Sequence, residues 1–144
     1  MNKKQKSLTN KGFSLVELII VIAIMAVLVG VLAPQYLKYV ENSRAQKDAS
    51  AADELTHAVE IAITNESIYN SLGLSDTKDT VTVVAADNTD FTCAASSDLV
   101  TELKTVIPAG KIDFTSSTYG GKTYTVTIKY DKTAKTVSVT GAFN

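Results

Sequence analysis

Lys11-Gly12-Phe13-Ser14-Leu15-Val16-Glu17 opens the stretch that decides the fold; Leu18 to Ala33 follows without a charge, and Pro34 closes it. As helix, Phe13 to Ala33 is about 31 Å long at 1.5 Å per residue. The hydrocarbon core of a bilayer is about 30 Å thick, so this length predicts a membrane helix over 13–33. Glu17 breaks the apolar pattern. An acid at a helix centre in lipid costs about 2.5–3.5 kcal/mol on insertion scales, and less near the interface. A carboxylate kept at this position needs a partner.

Upstream, residues 1–12 are polar and basic, with Lys3, Lys4, Lys6 and Lys11 and no acid. Such a leader stays on the cytoplasmic side of the membrane. An ordinary secretory signal fits poorly: the apolar run exceeds the usual h-region of about 7–15 residues, and a cut after Ala33 would leave Pro34 first. A plain signal anchor would share the orientation, so orientation does not discriminate. The placement of Gly12, Phe13 and Glu17 does.

Lys11 to Glu17, ahead of an uncharged run and behind a short basic leader, resembles the processing site of type IV pilins and their pseudopilin relatives. The resemblance covers about the first 40 residues. It implies that a dedicated membrane peptidase cuts between Gly12 and Phe13, that the new Phe13 amine is methylated, and that Glu17 is needed for assembly. The charges agree with it. Cutting there creates an amine with a reference pKa of about 7.7–8, cationic at neutral pH, and pairing it with a buried carboxylate satisfies both. The expectation is that Glu17 of one subunit pairs with the Phe13 amine of a neighbour. The competing geometry is an internal pair, since positions four apart share a helix face. Many pilins of Gram-negative bacteria close their C-terminal region with a cysteine pair; Cys93 is the only cysteine here, so this sequence departs from them.

Gly30 and Pro34 form the soft spot of the apolar helix. Proline lacks the N–H that would bond back to the Gly30 carbonyl, and glycine is itself a poor helix former. The expectation is a hinge at this turn.

Beyond Pro34 the helix resumes. Small and apolar residues recur at Val40, Ala45, Ala49, Ala52, Leu55, Val59, Ala62 and Ile63, with Glu41, Arg44, Lys47, Asp48, Asp53, Glu54 and Glu60 between them. That spacing predicts an amphipathic helix with one face laid on something. One long helix over about 14–66 follows, ended by Asn65, Ser67 and Gly73. His57 is the only histidine and reads as a partly exposed helix residue rather than a metal ligand.

In the remainder, Val81–Val84 and Phe91–Ala94 are strand-like, and Ser97 followed by residues 98–106 reads as a short capped helix. Tyr124, Val126, Ile128 and Tyr130 alternate with Thr123, Thr125, Thr127 and Lys129, a strand with one buried face. Gly120-Gly121 predicts a hairpin joining this strand to 112–119. Residues 131–134 turn the chain into 135–142, where Val137 and Val139 face inward. The fold class expected is α+β: a helical spine whose C-terminal half covers an antiparallel head, the pilin fold by resemblance. The expected segments are a leader at 1–12, a membrane and assembly helix at 13–35, an amphipathic helix at 36–66 and a head at 67–144.

Fourteen basic residues oppose fifteen acidic ones in the whole chain, and ten oppose fifteen once the leader is gone. An acidic surface gives no nucleic-acid footprint. With one histidine and one cysteine there is no triad, metal cluster or phosphate loop, so neither catalysis nor a cofactor is expected. The resemblance implies a structural subunit polymerising into an extracellular filament for adhesion, surface motility or biofilm formation. Its implied partners are further copies of itself, the prepilin peptidase, an assembly ATPase and membrane platform, minor pilins, and membrane lipid before assembly. The implied location is the inner membrane with the leader in the cytoplasm, then the cell surface. Two alternatives stand beside it: a pseudopilin of a type II secretion or DNA-uptake machine, and an uncleaved membrane-anchored binding module.

Overall fold

The computed structural model describes residues 12–144; the expected leader lies outside the described residues except for Gly12. Helix α1 runs from Leu15 to Ala62 with Pro34 inside it. The chain divides into two units, Met1–Tyr39 and Val40–Asn144, and α1 contributes residues to both.

In the first unit the helix is apolar on every side from Leu18 to Ala33, and its large apolar side chains from Phe13 to Tyr39 are exposed. It is long and apolar enough to cross a membrane. Helical structure continues through Gly30 and Pro34 without interruption.

In the second unit α1 buries Asp48, Ala52, Leu55, Ala58, Val59 and Ala62. Four of these were expected from the apolar spacing. Asp48 was expected on the polar face and is buried instead. The helix ends earlier than the expected 66 because Asn65 starts a new one. Its side chain accepts the Ser67 N–H at 3.0 Å, capping α2 (Glu66–Leu72), which Gly73 closes in the left-handed conformation, φ 63°.

Strands β1 (Thr80–Ala86), β2 (Thr92–Cys93), β3 (Thr123–Asp131) and β4 (Thr136–Phe143), with helix α3 (Ser97–Val106) between β2 and β3, complete the chain. They form an antiparallel sheet in the order β2-β1-β3-β4. The inner face carries Val81, Val83, Ala85, Tyr124, Val126 and Ile128, all buried in one core with α1, α2 and α3. Thr56 Oγ1 meets the Tyr124 hydroxyl at 2.9 Å, tying helix to sheet. Ser96 rather than Ser97 caps α3, its hydroxyl accepting the Leu99 N–H at 3.1 Å.

The expected 112–119 strand is absent: these residues are loop and turn, and β3 pairs with β1 in their place, Val83 opposite Val126. The physical reason is where the loop's N–H groups go. Those of residues 114–117 bond to side-chain carboxylates rather than to a neighbouring strand.

Candidate functional site

Of the residues singled out from the sequence, Gly12 and Phe13 lie just ahead of α1 and Glu17 lies in its first turn. Ser14 precedes the helix and Glu17 is its third residue. In that position a glutamate can reach back to the cap residue's N–H, and Glu17 Oε2 accepts the Ser14 N–H at 2.8 Å. Oε1 of Glu17 has no hydrogen bond among the described residues. Phe13 is 85 % exposed. In this uncut chain the Phe13 nitrogen is an amide, so the expected ion pair with its amine has no counterpart here; the carboxylate serves its own helix terminus. Gly30 and Pro34 lie one turn apart further along the same helix.

The second unit contains a carboxylate arrangement that the sequence reading missed. Asp87, at the end of β1, accepts Phe114 N–H and Gly121 N–H, each at 2.9 Å. Asp48 accepts Thr115 N–H at 3.1 Å and Ser116 N–H at 2.8 Å. Glu41, two turns before Asp48 on α1, accepts both the backbone N–H and the hydroxyl of Ser117. The N–H groups of four successive residues, 114–117, are therefore all held by side-chain carboxylates.

Burial acts to raise the Asp48 pKa, but the bonds from Ser116 and Thr115 outweigh it and hold the carboxyl below its ordinary value. The Ser117 hydroxyl and N–H lower that of Glu41, against a smaller opposing effect of desolvation. These bonded carboxylates hold the 114–117 loop in place. A signal for Asp48 was present in the sequence: it precedes Ala52, Leu55 and Val59 at the spacing of the buried stripe.

Aromatic packing completes this end of the head. Phe143 stacks on Tyr119 with ring centroids 4.2 Å apart and meets Phe114 edge-on at 5.3 Å. His57 is exposed and bonds Glu60 at 3.0 Å. Among the described residues no group of three His, Cys, Asp or Glu side chains is placed to hold a metal ion.

Residues 8–33 match the family described as the prokaryotic N-terminal methylation motif. The chain is also similar to the type IV major fimbrial protein FimA of Dichelobacter nodosus. Two forms of that protein are each 38% identical over 53 residues, covering 37% of this chain and 34% of theirs. The chain thus spans about a third of the length of the curated relatives it matches. No solved structure matches it. The chain thus carries the methylation motif, is similar over part of its length to type IV fimbrial proteins, and has a pilin-like arrangement, a long N-terminal helix leading into an antiparallel sheet.

Proposed function

We propose that this chain is the structural subunit of a type IV pilus. It enters the inner membrane through Phe13–Ala33, is cut after Gly12 by the prepilin peptidase, is methylated on the Phe13 amine, and polymerises into a surface filament. The observation that carries this reading is the first part of α1: a helix apolar all round from Leu18 to Ala33, with its large apolar side chains exposed and one acid, Glu17, in its first turn. Such a surface needs lipid first and other helices afterwards.

Glu17 supplies the register. Cutting converts the Phe13 amide into a cation that the Glu17 carboxylate of a neighbour can meet. Each subunit leaving the lipid then brings one positive and one negative group into apolar surroundings, where pairing relieves the desolvation of both. Gly30 and Pro34 form the turn that yields when helices pack. The head faces outward, in a role of adhesion, surface motility or biofilm formation, with the ATPase, platform and minor pilins as assembly partners.

Mass spectrometry of the mature N-terminus tests the processing step: a methylated chain beginning at Phe13 is expected, and a retained Met1–Gly12 overturns it. Glu17→Ala co-expressed with wild type tests the pairing, with exclusion of the variant from filaments expected. Electron microscopy with antibody to the head separates a filament subunit, labelled along long fibres, from a secretion pseudopilin, which gives no long fibres.

A further inference from the structure

Helix α1 carries two aromatic residues, Tyr36 and Tyr39, which stand one turn apart just past the apolar run. Neither a charge nor an aromatic ring occurs between Glu17 and Tyr36, and Lys38, between the two tyrosines, is the first charge after Glu17. Ring and cation are paired at the other end too, where Lys11 and Phe13 precede the helix. Both tyrosines are exposed, Tyr36 at 66 % and Tyr39 at 74 %, and so is Lys38. All three lie in the first of the two units, Met1–Tyr39.

Their height along the helix says what surrounds them. At 1.5 Å per residue, Tyr36 is about 35 Å and Tyr39 about 39 Å beyond Phe13. A tilt of about 20°, the average for membrane helices, reduces these to about 32 and about 37 Å along the bilayer normal. The hydrocarbon core is about 30 Å thick and the whole bilayer about 40–45 Å. With Phe13 at one hydrocarbon boundary, both tyrosines therefore fall in the opposite headgroup layer. That layer suits their chemistry. Tyrosine has an apolar ring and a hydroxyl that needs a hydrogen-bond partner, and it is enriched at membrane interfaces. Lysine lays its stem on apolar surface and keeps its ammonium in a polar setting. Ester and phosphate oxygens beside acyl chains satisfy all three residues. In a seam between two apolar helices each polar head would be buried and would need a matched partner of its own.

We propose that Tyr36, Lys38 and Tyr39 form an interfacial anchor that binds the phospholipid headgroup layer and fixes the depth of the helix in the bilayer. The anchor rests on the reading that Phe13–Ala33 enters the membrane. The two rings dock at the hydrocarbon boundary, their hydroxyls donate to ester and phosphate oxygens, and the Lys38 ammonium meets phosphate. Depth set at this end also sets the other, because the helix between them is continuous. The Gly12–Phe13 bond is thereby held at the opposite face of the bilayer, where water reaches it, instead of sinking into hydrocarbon.

The chain has no tryptophan, so a single Trp substitution reports the depth of one position. The full, uncut chain is reconstituted in phosphatidylcholine vesicles whose acyl chains carry bromine at shallow or deep positions, which quenches indole fluorescence on contact. Ile24→Trp, near the middle of the apolar run, should be quenched best by deep bromines. Tyr36→Trp and Tyr39→Trp should be quenched best by shallow ones, at about 15 Å from the bilayer centre, half the thickness of the core. In the Ile24→Trp chain, replacing both tyrosines by serine and Lys38 by glutamine should move the indole away from the centre. An indole depth unchanged by those replacements overturns the anchor. So does a lack of shallow quenching at Tyr36→Trp and Tyr39→Trp, or its loss as the protein-to-lipid ratio rises, which would mark another helix as the partner. Quenching at Ile24→Trp tells the two readings apart. If it persists in any of those outcomes, only the anchor fails; if Ile24→Trp is itself unquenched at every depth, membrane insertion fails and the anchor with it.

Discussion

Asp48 on α1 accepts the backbone N–H of Ser116 at 2.8 Å, although 68 positions separate the two in sequence. The contact anchors a loop that would otherwise present unpaired N–H groups to the inside of the head, where each must find an acceptor. Asp48 is 1 % exposed, so its charge is tolerated only because Thr115 and Ser116 surround it with donors.

Asp48→Ala should therefore be among the more damaging single changes in the head. It leaves the buried Ser116 N–H without its acceptor and removes a charged hydrogen bond, a combination worth about 2–3 kcal/mol. Denaturant unfolding followed by near-UV circular dichroism, with the full chain in detergent, measures it. Asp48→Asn keeps one acceptor oxygen and should fall between wild type and alanine.

Acidification should loosen the same loop. The folded-state pKa values of Asp48 and Glu41 lie below their ordinary values of 3.8 and 4.5. Each group therefore contributes stability that is complete above its ordinary value and is lost as pH falls through the lower folded-state value. Unfolding midpoints should drop below about pH 4.5, and further below 3.8. The Asp48→Asn chain should lose less on acidification than wild type. Identical acid profiles would show that Asp48 does not drive the loss.

Gly141 admits no side chain. A Cβ there would fall on the Tyr124 hydroxyl and ring and against Thr56 Oγ1. Tyr124 is buried and bonded to Thr56, so it cannot swing aside freely. Gly141→Ala should destabilise the head by about 1–3 kcal/mol, the usual cost of overpacking. The effect should shrink in a Tyr124→Val background, which a double-mutant cycle reads as coupling.

Pro34 leaves the Gly30 carbonyl without its helical donor, although α1 is continuous there. Pro34→Ala should restore that bond and stiffen the turn by about 3 kcal/mol. Amide exchange around residues 31–37 in detergent should slow in the variant. Unchanged exchange would remove the basis for a hinge at this turn.

What the sequence determined by itself was whatever repeats within a short window. The uncharged run after Glu17, the 3.6-residue spacing of Ala52, Leu55, Val59 and Ala62, and the strict alternation from Thr123 to Tyr130 each declare an element from its own residues. Gly12, Phe13 and Glu17 can be singled out as candidates for the same reason, since one heptapeptide holds all three. The tertiary structure decided the rest. Residues 112–119 look like a strand locally, yet the N–H groups of 114–117 go to Asp87, Asp48 and Glu41, separated from them by 27 to 76 positions. With those donors taken, β1 became the partner of β3, and a polar residue, Asp48, entered the buried stripe of α1. Local periodicity reports which way a side chain points; only the folded chain determines which distant acceptor meets a given N–H.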